Sequence, residues 1–287
     1  MAPSPANMYA HVLRHDLCAF IHRSFVELEQ SEFHANWHIE VLAAKLEDVR
    51  FGRCKRLIVN VPPRHLKSLA TSVAFPAWLL GHEPAKQILS VTYAQDLSDN
   101  LARKSRMLMT SAFYEALFDT RLSKRREAIS DFETTEGGNR LSTSIGGVLT
   151  GRGADIIIID DPLKADDALS ETRRRSVNEW YDNTLRSRLN SQENGAIIIV
   201  MQRLHADDLV AHVQQTEAWE VLSFPAIAEQ DETYNILTPY GRKIIQRKTG
   251  EVLQPSLLSL ATLENQRRAM SDYHFAAQYQ QNPQPPS

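Results

Sequence analysis

Lys67 and Ser68 follow the apolar run RLIVNV and the turn PPRHL, and they stand where a G-x-x-x-x-G-K-[ST] phosphate loop carries its lysine and its hydroxyl. The glycines are missing, for Val61 and Leu66 occupy their positions. Such a loop works because backbone N–H groups converge on phosphate oxygens at a helix N-terminus, where the helix dipole favours negative charge. Glycine eases the bend but is not the donor. Pro62 and Pro63 have no N–H, so the donors would be the amides of Arg64, His65, Leu66, Lys67, Ser68 and Leu69. In that arrangement Lys67 lies on the outer phosphates, Ser68 ligates Mg²⁺ and Arg64 adds a second positive charge. The residues alone leave open an ordinary basic turn between a strand and a helix.

About ninety residues downstream, DIIIIDDP ends four isoleucines with two carboxylates. A buried strand delivers an acid in this way to the C-terminal edge of a sheet, where open α/β folds bind ligands. Asp160 is then a metal-binding carboxylate and Asp161 a group that polarises an attacking water; capping of the next turn by either aspartate is the alternative. Upstream, the glycine-rich stretch TEGGNRLSTSIGGVLTGRGAD presents Arg152 between two glycines. There an arginine can reach a terminal phosphate in its own subunit or a neighbour's, or lie on the surface. Gln202 ends the run AIIIVM and is placed to sense phosphate or orient water. His205, Asp207 and Asp208 superficially resemble metal ligands, but acids there suit a helix N-terminus.

The elements that must hold these residues follow from the apolar pattern. RLIVNV, QILSVTY, DIIIID, AIIIVM and WEVLSF are near-continuous apolar runs, as expected of parallel strands covered on both faces. Helical patterns lie between them: SLATSVAFPAWLL, DLSDNLARKSRMLM, and SETRRRSVNEWYDNTLRSRL with Val177, Tyr181, Leu185 and Leu189 as one face. EFHANWHIEVLAAKLEDVRFG predicts a loop and a helix before the first strand. The alternation argues for an α/β fold around a mostly parallel sheet flanked by helices. The expected division is residues 1–55 as a helical segment, 56–224 as the core and 225–287 as a small C-terminal subdomain. Within the last part DETYNILTPYGRKIIQRKTGEVLQP shows turn residues and little periodicity, ATLENQRRAMSDYHFAAQYQQ reads as one or two helices, and NPQPPS reads as a linker to further chain.

The 287 residues are 43% hydrophobic and 23% charged, which fits one main globular domain and excludes a mostly disordered chain. The apolar runs are far shorter than the roughly 20 residues that span a bilayer, and MAPSPANMYA lacks the pattern of a secretory signal. Cys18 and Cys54 are isolated thiols that suit a reducing compartment. A net charge of −3 gives no global case for nucleic-acid binding. Local clusters at Lys124–Arg126, Arg173–Arg175 and Arg186 with Arg188 would make salt-sensitive phosphate contacts, or are solvated faces.

Taken in order, PPRHLKS, YAQDL, TEGG, GGVLTGRGADIIIIDDPLKADDALSE, QRLHADDL and FAAQYQQNP resemble the N-terminal ATPase domain of the large terminase subunit of tailed bacteriophages. The resemblance covers nearly the whole chain. It implies a P-loop NTPase of the additional-strand type that binds ATP and Mg²⁺, and an RNase H-like nuclease domain beyond this stretch. Lys67 and Ser68 match the family's phosphate lysine and magnesium hydroxyl, and Asp160 its metal-binding aspartate. Asp161 stands where many relatives carry a catalytic glutamate, one methylene longer. Trp37 and His38 fall where the family contacts adenine, with a buried aromatic anchor as the alternative; Gln202 falls at the coupling motif, and Arg152 in the region that supplies an arginine in trans. The implied partners are double-stranded DNA, the portal and procapsid, the small terminase subunit and further copies of the chain in a ring, in the cytoplasm of a bacterial host and away from membranes. A truncated or prophage-derived module that binds DNA or nucleotide without turnover is the alternative that Leu66 and Asp161 keep open.

Overall fold

The isoleucine- and valine-rich runs form the middle of one eight-stranded sheet in a computed structural model that describes residues 5–147, 149 and 151–283. The strands are β1 (Arg56–Asn60), β2 (Gln87–Thr92), β3 (Leu122–Ala128), β4 (Asp131–Thr134), β5 (Asn139–Ser144), β6 (Ile156–Asp160), β7 (Ala196–Met201) and β8 (Glu220–Ser223), in the spatial order β3-β4-β5-β2-β6-β7-β1-β8. From β5 to β8 every pairing is parallel; β3 and β4 add an antiparallel edge. The fold is thus the expected α/β class.

Successive side chains of a strand point to opposite faces, and the core divides accordingly. Ile156, Ile158, Ile198 and Val200 pack with one apolar cluster, whereas Ile157, Ile159, Ile197 and Ile199 pack with another. Both faces are therefore covered, which is why these strands read as unbroken apolar runs. The first face carries α1 (Pro5–His15), α2 (Leu17–Leu28), α3 (Trp37–Arg50) and α4 (Phe75–His82). The second carries α7 (Glu171–Trp180) and α8 (Leu209–Gln214). The remaining helices of the core are α5 (Gln95–Met109) and α6 (Ala112–Leu117).

Two helical stretches are wound wider than an α-helix, and both matter for placement. Leu69–Ala74, between the loop lysine and α4, and Tyr181–Leu185, after α7, are π-helical. A four-residue repeat drifts by about 40° per step around an α-helix. The wider π turn rotates less per residue, so Val177, Tyr181 and Leu185 stay buried against the sheet.

The C-terminal part differs from expectation. The segment that shows little periodicity in the sequence is a hairpin of β9 (Glu232–Thr238) and β10 (Gly241–Arg247). Ile236 and Ile245 face inward and join the same cluster as Leu13 and Ile39, while Leu237 and Ile244 are exposed. Apolar residues on both faces blur the two-residue period that marks a half-buried strand. The last elements are α9 (Leu260–Ala269) and α10 (Asp272–Gln278). Among the described residues no helix is long and apolar enough to cross a membrane.

Candidate nucleotide site

Register brings the ends of β1, β6 and β7 to one sheet edge, since Asp160 lies beside Val200 and Asn60 beside Met201. The loop 61–68 leaves β1 at this edge. Lys67 Nζ donates to Asp161 Oδ2 at 2.5 Å, and Ser68 Oγ donates to Asp160 Oδ1 at 3.0 Å. Ser72, one helical turn further on, donates to the other oxygen, Asp160 Oδ2, at 2.6 Å. Sequence reasoning passed over Ser72; its signal was a second serine four residues after Ser68 at the start of a helix.

The electrostatics follow from burial. Asp160 is 1% exposed. Burial and the neighbouring Asp161 push its carboxyl up to about 6, against the pull of Lys67, Ser72 and Ser68. Burial also works against the Lys67 charge, but Asp161 and Asp160 outweigh it and hold the ammonium above its ordinary value.

The loop backbone answers the question raised by the missing glycines. Arg64 and Leu66 have φ of 66° and 64°, and Asp161 has φ of 45°. Non-glycine residues adopt this left-handed region at a cost of about 1–2 kcal/mol each, and such residues concentrate at functional sites. The N–H groups of Arg64, His65 and Leu66 donate to no backbone carbonyl among the described residues. Amides without backbone acceptors just before a helix start are able to donate to an anion.

Buried histidines hold this shape. His65 Nδ1 lies 2.8 Å from the Pro63 carbonyl, and His38 Nε2 lies 3.2 Å from the His65 carbonyl. Burial drives His38 down to about 3, so its neutral ring accepts from the Asn36 amide at 2.5 Å and donates to the loop. Trp37 packs with Phe224 and Tyr234, its ring centroid 5.8 and 5.1 Å from theirs, and Arg247 lies over its face. His38 is 1% exposed, so it meets the loop from beneath.

Gln202 follows the last residue of β7 at the same edge, and its side-chain Oε1 is buried without a hydrogen-bond partner among the described residues. Arg152 is elsewhere. Its guanidinium forms a two-pronged ion pair with Asp131, at 2.9 and 3.0 Å, which raises its already high proton affinity. Asp131 pairs with Leu141, which is level with Leu89 and Ile157. At about 4.8 Å between strands and 3.3 Å per residue, that places the ion pair roughly 14 Å to the side of Asp160 and roughly 10 Å below it. Arg152 is thus not part of the cluster formed by its own chain.

Asp208 caps α8, accepting from Ala211 N, and holds Arg203 at 2.7 Å; among the described residues no group of His, Cys, Asp and Glu has metal-binding geometry. The basic clusters are also uneven. Lys124 and Arg125 are exposed on the edge strand β3, whereas Arg174 is buried and donates to the Ala168 carbonyl.

One strand, β7, lies between the loop strand β1 and the acid strand β6. A mostly parallel sheet with that additional strand, and a lysine–serine turn facing an aspartate, defines the P-loop NTPase fold of the additional-strand class. Residues 59–272 match the family described as terminase large subunit, T4likevirus-type, N-terminal, and the chain belongs to that family. Its fold is similar to that of the HK97 bacteriophage large terminase, with a TM-score of 0.55 and 11% identity over 94% of this chain and 55% of that one. A looser similarity joins it to the large terminase of a thermophilic bacteriophage, solved in complex with ADP, with a TM-score of 0.40 and 9% identity over 79% and 50% of the two chains. The chain therefore spans about half the length of these solved terminases. No curated protein matches the sequence.

Two outcomes test this geometry. Leu66→Gly relieves the left-handed strain but loses a half-buried side chain and gains unfolded-state freedom, so its stability stays within about 1 kcal/mol of wild type. Leu66→Val puts a β-branched residue into the same conformation and costs about 1 kcal/mol or more, read from urea midpoints. The second outcome concerns pH. A carboxyl titrating at about 6 when folded and 3.8 otherwise keeps a proton that the unfolded chain has released. Stability from this site is therefore full below the lower value and falls as pH rises through the window. A tenfold difference in proton affinity is worth about 1.4 kcal/mol, so Asp160→Asn should stabilise the protein by about 1–3 kcal/mol at pH 8 and by almost nothing near pH 4. An equal effect at both pH values would contradict the buried-charge account.

Proposed function

We propose that this chain hydrolyses ATP with Mg²⁺ and uses the energy to move double-stranded DNA into a phage procapsid. The observation that carries the proposal is the convergence of Lys67 and Ser68 on Asp161 and Asp160 at the sheet edge, in a chain of the terminase large-subunit family. The donor set fits a metal–nucleotide: a hydroxyl and a carboxylate 3.0 Å apart, an ammonium beside them, and loop N–H groups free of backbone acceptors among the described residues. Ser68 and Asp160 would hold Mg²⁺, which when bound neutralises charge on the phosphoryl oxygens.

The chain's own residues then have separable tasks. Lys67 exchanges Asp161 for phosphate oxygens, and the amides of Arg64 to Leu69 with the Arg64 guanidinium complete the cradle. Asp161, released by that exchange, takes a proton from the attacking water, and Gln202 orients that water. Trp37 and His38 form the base of the loop, with Trp37 on the adenine side. Arg152 serves an adjacent subunit of a ring, because its ion pair with Asp131 lies far from the cluster of its own chain. Lys124 and Arg125 offer phosphate contacts to DNA. Portal, procapsid and the small terminase subunit are the further partners of this reading, with the bacterial cytoplasm as its setting. Residues 56–224 form the motor core, 1–55 support the loop, and 225–287 form the subdomain leading outward.

A second reading is a module that binds nucleotide or DNA without turnover. The left-handed φ of Leu66 and the closed Lys67–Asp161 pair favour it.

Turnover measurements separate the two. Wild type with DNA should hydrolyse ATP, and Lys67→Ala should lose about a hundredfold or more, as expected for removal of a transition-state charge contact. Mixing Lys67→Ala with Arg152→Ala should restore part of the activity, because the second variant keeps an intact loop and the first supplies the arginine. Equal rates for wild type and Lys67→Ala would remove Lys67 from the reaction, and binding of a Mg-ATP analogue without any hydrolysis would leave the second reading standing.

A further inference from the structure

Arg140 is the residue that the site described above does not use. It lies on β5, two strands away from β6, and is 0% exposed. Its backbone is fixed on both sides, level with Phe132 of β4 and Ile88 of β2. The guanidinium runs up the sheet face: Nη1 donates to Ser142 Oγ, two residues along the strand, and Nη2 donates to the Ser72 carbonyl at 2.8 Å. Nε has no hydrogen-bond partner among the described residues. A charged side chain with no exposure and no paired carboxylate is costly, and structures keep one where it has a task.

The local helix shows what the task is. In an α-helix the Ser72 carbonyl would accept from residue 76, but that residue is Pro76, which has no N–H. The chain here winds as a π-helix, with the Phe75 N–H reaching back to the Ala70 carbonyl. The Ser72 carbonyl, which residue 76 cannot serve, accepts from Arg140 Nη2. Ser72 in turn gives its hydroxyl to Asp160 Oδ2 at 2.6 Å. Burial pulls the guanidinium down to about 9, and Asp160 is the acid that works to keep it charged.

We infer that Arg140 is a positioning residue for the proposed metal site: through the Ser72 backbone and hydroxyl it fixes the Asp160 carboxylate in the orientation that Ser68 shares. This rests on the reading of Asp160 and Ser68 as the Mg²⁺ holders. The chain Arg140, Ser72, Asp160 links β5 to β6 across the intervening β2. Arg140 touches neither substrate nor metal, and its effect passes through Ser72.

The test compares Arg140→Lys, which keeps the charge but loses the forked donor, with Ser72→Ala, which removes only the hydroxyl. A fluorescent ATP analogue is titrated in EDTA and again in rising Mg²⁺, alongside turnover and thermal unfolding. Supporting partners of metal ligands are worth about ten- to a hundredfold in metal affinity or activity. Both folded variants should therefore need about tenfold more Mg²⁺ for half-saturation and turn over about tenfold more slowly, while metal-free nucleotide affinity stays within about twofold of wild type. Wild-type Mg²⁺ dependence in a folded Arg140→Lys, or an equal loss of affinity with and without Mg²⁺, would overturn the inference. If Arg140→Lys fails to fold, Ser72→Ala decides by the same criterion. A wild-type protein whose nucleotide affinity ignores Mg²⁺ would instead overturn the reading of the site itself.

Discussion

Asp160 is a carboxylate shut off from bulk water at the end of a strand of isoleucines, and much of the loop's surroundings serves to let it keep a charge. Two serine hydroxyls bind its two oxygens, and the Lys67 ammonium, paired with Asp161, adds a favourable charge. An ionised acid can be buried only with such partners. The partners come from one helix start, so the loop that carries Lys67 cannot move without disturbing Asp160. The central sheet supplies the rigidity: β6, β7 and β1 end together, and both faces are sealed by apolar clusters.

The same constraint accounts for the backbone. Three non-glycine residues with left-handed φ, Arg64, Leu66 and Asp161, surround the cluster. Side chains beneath the loop oppose relaxation: His65 reaches the Pro63 carbonyl, His38 reaches the His65 carbonyl, and Leu66 packs against the main core. The loop therefore has the form of a glycine-rich cradle without its glycines. Its shape is imposed from below, at a cost in strain that packing offsets.

Much of this was legible in the sequence for a physical reason. A strand covered on both faces must be apolar throughout, so β1, β2, β6 and β7 stood out as runs, and an acid at the end of such a run must lie at the sheet edge. Lys67, Ser68, Asp160 and Asp161 were found this way. What the sequence hid were contacts between residues far apart in the chain. Ser72 and Pro76 acquire meaning only together with Arg140, which a strand register brings beneath them. The hairpin β9–β10 was hidden because its outer face is also apolar; α1 and α2 lie in the segment expected to be helical, but no strand or motif set their bounds. Arg152 was identified as a residue of interest, but its partner Asp131 and its distance from Asp160 follow from the order of strands alone. The triplet Arg173–Arg175 looked like one basic patch, yet helix geometry turns Arg174 inward.

The cluster as it stands is closed on itself, lysine to aspartate and serine to aspartate, and the central claim is that a magnesium nucleotide opens it. A crystal structure with Mg²⁺ and a non-hydrolysable ATP analogue tests this most directly. The account predicts phosphate on the amides of Arg64 to Leu69, Lys67 moved from Asp161 to a phosphate oxygen, and a metal between Ser68 and Asp160. A nucleotide bound elsewhere, with the 2.5 Å Lys67–Asp161 pair intact, would contradict it.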